Sequence, residues 1–158
     1  MMQWRDFIAA SRLLASMSDS DTVPLPDSLR RAVSTAYYAV FHALANSNAD
    51  CLIGSPTDPL LEHAWHRVRR GLDHNQARRN LEQDRHRFSP PVQKFIAAFA
   101  GLQDARHAAD YDARRQFTVT EAHSWIDRAE DTISDFMGVA LHERRAVAAQ
   151  ALIRRCAN

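Results

Sequence analysis

The chain has 158 residues and a formal net charge of +1, the length of one domain and enough to bury a core without disulfides or metal. Four Gly and six Pro exclude disorder, collagen and the turn-rich sandwich and barrel folds. No run of about 18 apolar residues is there to span a membrane.

The periodicity is helical from end to end, with no internal repeat, low-complexity tract or strand pattern. Trp4, Ile8, Leu14 and Met17 fall near one face of a first helix. Residues 18–26 read as a loop, and Asp27 or Ser28 can cap a second helix running to about Asn46. Asn46 to Pro59, with Gly54 and Pro56, reads as the longest ordered loop. Leu60, Leu61, Ala64, Trp65 and Val68 make a third helix ending near Gly71, and Asp73 to Arg87 is a polar stretch, either a short exposed helix or a mobile segment. Ser89-Pro90 starts a fourth helix through Phe95, Ile96, Phe99 and Leu102 to about Ala109. Thr118 with Glu121 three residues on is a capping box that opens a fifth helix, which Gly138 can kink. The fold class is all-α, an antiparallel four- or five-helix bundle of up-and-down type over 1–142, followed by a helical extension over 143–158.

Charge is uneven. From His63 to Arg87 seven arginines face three carboxylates, a net +4, and Arg67, Arg70, Arg78, Arg79 and Arg85 are the candidate nucleic-acid contacts. The N-terminus lacks the basic region and apolar run of a secretory signal, and Cys51 and Cys156 form no CxxC, so free thiols in the cytoplasm are expected. His63 and His66 share a helix face, but no carboxylate or Cys completes a metal-ligand spacing. No Gly-rich phosphate loop occurs either, so neither metal nor cofactor is expected.

Two helices carry more than core. On the second, Val33, Tyr37, Val40, Phe41 and Leu44 share a broad apolar face. Ala32, Ala36, Ala39 and Ala43 form a smooth stripe suited to close approach of another helix, including one from a second copy. Arg31, Thr35, Tyr38 and His42 form a third, enclosed stripe. His42 is either a hydrogen-bonded core histidine or one lining a phosphate site. On the fourth helix, Arg106 continues the apolar line of Val92, Ile96, Phe99 and Leu102, and Asp110 is its partner at i+4. Arg106 and Asp110 form either a buried structural ion pair or an arginine held ready for a phosphate.

The run Arg31-Ala-Val-Ser-Thr-Ala-Tyr-Tyr-Ala-Val-Phe-His42 resembles the second helix of the HEPN domain family. Arg106-His-Ala-Ala-Asp110-Tyr111 resembles the Arg-x-x-Ala-Asp-Tyr signature of one bacterial branch. The two motifs stand in the family's order, and the resemblance covers about residues 3–140. It implies a HEPN-like bundle that pairs as a homodimer. It also implies either metal-independent cleavage of RNA, as in toxin and defence systems, or silent binding of RNA or nucleotide. In one group of the family a tyrosine beyond the motif is modified by a partner nucleotidyltransferase.

Active members place a His four to six residues after the Arg; here the fifth, sixth and seventh residues after Arg106 are Tyr111, Asp112 and Ala113. A phenol is a poor base at neutral pH. The pairs Arg67 with His74, Arg69 with His74 and Arg79 with His86 have similar spacings, but no more often than chance gives in so Arg-rich a chain. Two functions follow. One is an RNA- or nucleotide-binding protein, with cleavage if a base is present, in which Arg106 holds phosphate, Asp110 orients it, Tyr111 meets a base, ribose or proton, and His42 assists. The other is a non-catalytic interaction module, paired with a nucleotidyltransferase or antitoxin.

Overall fold

A computed structural model describes residues 3–20 and 23–154. The chain runs through α1 (Trp4–Ser16), β1 (Ser18–Ser20), β2 (Val23–Pro24), α2 (Pro26–Leu52), α3 (Pro59–Arg70) and α4 (His74–Gln83). A 3₁₀ turn (Arg85–Arg87), α5 (Pro90–Tyr111), α6 (Val119–Met137) and α7 (Leu141–Leu152) complete it. It is an all-α bundle, as the periodicity predicts. Among the described residues no helix is long and apolar enough to cross a membrane.

Proline sets three helix starts. Pro26, Pro59 and Pro90 each stand in the first turn of their helix, where the missing N–H has no intrahelical acceptor to lose. Asp27 and Ser28, expected as caps, therefore lie inside α2, and its N-cap is Leu25. Asp58 caps α3, its carboxylate accepting from the N–H groups of Leu60 and Leu61 at 2.9 and 3.0 Å. The capping box at α6 forms as expected: Thr118 Oγ1 accepts from Glu121 N at 3.1 Å and Glu121 accepts from Thr118 N at 2.9 Å. Gly138 ends α6 rather than kinking it.

Several boundaries and faces differ from the sequence reading. The 18–26 stretch carries a short antiparallel ladder, Ser18 opposite Pro24 and Ser20 opposite Val23. α2 runs six residues past Asn46, because the polar run there is enclosed by neighbouring helices; Asn46 Oδ1 accepts from Arg69 Nε at 2.8 Å. The expected long loop shrinks to residues 53–58, turned at Gly54 with φ +81°. The buried face of α1 is Trp4, Ile8, Ser11 and Ala15, with Met17 exposed beyond the helix end. On α3 only Trp65 is buried, and Leu60 points to solvent.

α2 is the centre. It packs against α1, α3, α5, α6 and α7. Ala32, Ala36, Ala39 and Ala43 are wholly buried within the chain itself. That stripe is consumed by the protein's own helices and offers nothing to a second copy. The third stripe is half-open instead of enclosed: Tyr38 and His42 are half-buried and Arg31 is exposed. Phe95 and Phe136 stack at 4.2 Å between α5 and α6. α7 buries Val147, Ala148 and Ala151 and packs on α2 and α4, so residues from the expected C-terminal extension join the common core. Cys51 is a free, buried thiol, and Cys156 lies outside the described residues.

The polar stretch 73–87 is an ordered, docked element. Asp73 caps α4 by accepting from Gln76 N at 2.7 Å, and Ala77 and Leu81 are completely buried. Arg30 of α2 donates to the carbonyls of Ala108, at 3.4 Å, Asp112, at 2.7 Å, and Arg115. A guanidinium on these last carbonyls closes the C-terminal end of α5 and steadies the turn that carries Asp110 and Tyr111.

Candidate functional site

The side chains with the most chemistry meet where α2, the first turn of α4 and the second half of α5 converge. Tyr37, Tyr38 and Phe41 sit within two turns of α2 and meet His74 at this seam. Tyr37 is fully buried, edge-on to Phe99 at 5.7 Å between ring centroids. Its hydroxyl lies 2.5 Å from Nδ1 of His74, the first residue of α4. The His74 ring stacks on Phe41 at 4.0 Å and 19° and stands edge-on to Tyr38.

Arg106 enters from α5. Its Cζ lies 5.4 Å from the Tyr38 ring centroid and 5.7 Å from that of Tyr37, the geometry of a cation–π contact. Its Nε donates to Asp110 Oδ2 at 3.0 Å, with side-chain exposures of 15% and 30%. The pair is thus half-buried at the rim rather than sealed in the core. Among the described residues, no protein partner takes the terminal nitrogens of Arg106, the Tyr38 hydroxyl or Nε2 of His74. One turn earlier, Gln103 is buried, donates to Asn75 Oδ1 at 2.8 Å, and leaves its own Oε1 without a partner.

Burial works against the charge on Arg106, but Tyr38 and Asp110 outweigh it and hold its pKa above the ordinary value. Burial pushes the Tyr37 phenol up, only partly offset by Arg106, so it stays neutral across the accessible range. His74 is pushed down by burial and by Arg106, and His42 by burial, Arg69 and His74. Both histidines bind protons more weakly in the folded chain than in the unfolded one. Stability is therefore full above the ordinary histidine pKa near 6.5 and falls as the pH drops below it. Thermal melts should show the melting temperature dropping between pH 7.5 and 5.5. The drop should shrink in the His42→Gln, His74→Gln double variant, and an unchanged drop there would place its origin elsewhere.

Of the four residues expected at the site, Arg106 and Asp110 are brought together. His42 stands on the far side of Tyr38, stacked on Phe7 at 4.8 Å and touched at Nδ1 by Arg69 at 3.2 Å. It is neither a sealed core histidine nor a neighbour of Arg106. Tyr111 is 70% exposed, its ring edge-on to His107. Of the candidate nucleic-acid arginines, Arg67, Arg70, Arg79 and Arg85 are exposed. Arg78 is engaged by Asp104 through both terminal nitrogens, at 2.5 and 3.1 Å, and by Glu82.

His74, Tyr37 and Tyr38 meet at this seam, although the sequence reading gave none of them a role at the site. Asp73 as an N-cap places His74 at the head of a helix, but nothing local says which helix that head faces. No protein family, curated protein or solved structure matches the chain.

Proposed function

We propose that the chain binds the phosphate of RNA or of a nucleotide in the notch formed by Arg106, His74 and Tyr38. The observation that supports this is an arginine steadied by its own carboxylate, beside the His74 imidazole and the Tyr38 phenol, with no protein partner among the described residues on its terminal nitrogens, on Nε2 of His74 or on the Tyr38 hydroxyl. A planar guanidinium with free N–H groups suits a phosphate's paired oxygens. The resemblance of the Tyr-Tyr helix and of the Arg106 to Tyr111 motif to the HEPN family favours the same ligand class. The exposed arginines on α3 and α4 add a diffuse attraction for the backbone beyond the notch. The reading includes a cytoplasmic protein that pairs with a second copy and with an antitoxin or nucleotidyltransferase. With the alanine stripe consumed, pairing rests on the family resemblance alone.

A second reading is metal-independent cleavage of RNA. It is favoured by His74, which stands beside Arg106 although no His follows Arg106 at the family spacing. The guanidinium would stabilise the charged phosphorane and an imidazole would move the proton.

The test is fluorescence anisotropy with a short labelled single-stranded RNA, read beside a denaturing gel in buffer with chelator. Wild type should bind, and Arg106→Gln should lose about tenfold to a hundredfold in affinity, the weight of a charge-assisted hydrogen bond. Equal affinity of the two proteins would remove the notch from consideration.

A further inference from the structure

Resting on phosphate binding at the notch, we infer that His74 is a neutral hydrogen-bond donor to phosphate through Nε2, fixed in that role by Tyr37, so that the site holds phosphate and does not abstract a proton. The geometry at Tyr37 carries this. Its side chain is fully buried, and among the described residues the one hydrogen-bond partner of its hydroxyl is Nδ1 of His74 at 2.5 Å. A buried O–H without an acceptor forfeits its hydration with nothing in return. The phenol therefore donates and Nδ1 accepts. In a neutral imidazole the remaining proton then belongs to Nε2.

The alternatives each leave a defect. A proton on Nδ1 would turn the Tyr37 O–H toward apolar core. An imidazolium would have the same defect and would add a positive charge beside Arg106. Rotating the ring would set a C–H against the Tyr37 hydroxyl, and the ring is already clamped by Phe41 on its face and Tyr38 at its edge. The titratable and charged groups around His74 are Tyr37, Tyr38 and His42 from α2, Arg106 from α5 and Asp73 at the head of its own helix.

The consequence is a set of donors with no base among them. Arg106 offers two terminal nitrogens, His74 offers Nε2–H and Tyr38 offers O–H, all suited to the acceptor oxygens of a phosphate. Neither ring nitrogen of His74 would keep a lone pair for the proton of a ribose 2′-hydroxyl, and the neighbouring Asp110 carboxylate is tied to Arg106 Nε. A histidine base held in the wrong tautomer loses about 10⁴ in rate. His74 is placed to recognise a phosphodiester and not to start its cleavage.

The experiment uses the full chain and two single strands of the same sequence, RNA and its 2′-O-methyl analogue, which cannot be cleaved through the 2′ position. Long-range nitrogen NMR on the free wild type should show His74 protonated on Nε2. In Tyr37→Phe, which frees Nδ1, the same signals should report a mixture of tautomers. His74→Gln, whose amide N–H can stand in for Nε2–H, should keep the affinity for the 2′-O-methyl strand. His74→Ala should weaken it about fivefold to tenfold. Wild type should leave the RNA strand uncut. A bare Nε2 in the wild-type spectrum overturns the inference. So does RNA cleavage that disappears in both His74→Gln and His74→Ala while the 2′-O-methyl strand still binds through Arg106, and phosphate binding then stands. If wild type binds neither strand, phosphate binding itself falls.

Discussion

Truncating Leu81 to alanine will lower stability by about 2–5 kcal/mol, the cost of a cavity in a packed core. It will also weaken phosphate binding, although Leu81 lies outside the notch. Leu81 and Ala77 are the two residues α4 buries, and Leu81 is the larger. Apart from the stacking of His74 on Phe41, the other fasteners of α4 are polar, among them Arg78 on Asp104 and Gln150 of α7 donating to Asn80 O at 2.9 Å. With the leucine shortened, the helix that carries His74 undocks more readily than the bundle unfolds. In a domain of this size each kcal/mol shifts the melting temperature by about 2–4 °C, so a fall of roughly 4–20 °C is expected. Wild-type anisotropy with short RNA in a protein so destabilised would show that α4 contributes nothing to the ligand.

The second large effect is at Arg106. In a fully buried ion pair, removing the arginine would cost about 3–5 kcal/mol. The pair here is half-buried, with Asp110 30% exposed, so Arg106→Ala should cost only about 1–2 kcal/mol of stability. The double change Arg106→Leu with Asp110→Leu should melt near the wild-type temperature. It should nevertheless lose most of the affinity for single-stranded RNA. Melting temperature and affinity measured on the same preparations separate the two roles, and a folded double variant with wild-type affinity would end the claim that this is the site. Tyr111→Phe belongs in the same series: its exposed position predicts unchanged affinity unless the hydroxyl is the contact.

Local chemistry made the fold legible. Ser89-Pro90 announces a helix start because proline presets the first-turn backbone and has no N–H to leave unpaired, and Thr118 with Glu121 because the two side chains satisfy orphan N–H groups within a single turn. The end of α2 was illegible for the opposite reason. Asn46, Ser47 and Asn48 look like helix breakers until Arg69 and the surrounding helices enclose them. Long-range packing decided the site in the same way. Arg106 with Asp110 is an i, i+4 pair and could be read from spacing. His74 could not, because its place depends on how α4 docks on α5 and α7. The alanine stripe was visible as a smooth face, but a sequence does not say whose helix covers it.

The central position of α2 divides the molecule by how fast its amides meet solvent water. A helix covered by five others cannot open by itself, so the N–H groups of residues 36–45 will exchange with deuterium only when the whole bundle opens. α4, buried at Ala77 and Leu81, will exchange orders of magnitude sooner. The two tyrosines and His74 meet in one notch, yet they belong to the slowest and one of the faster regions of the chain. A ligand bridging them would slow exchange in α4 and leave α2 as it was.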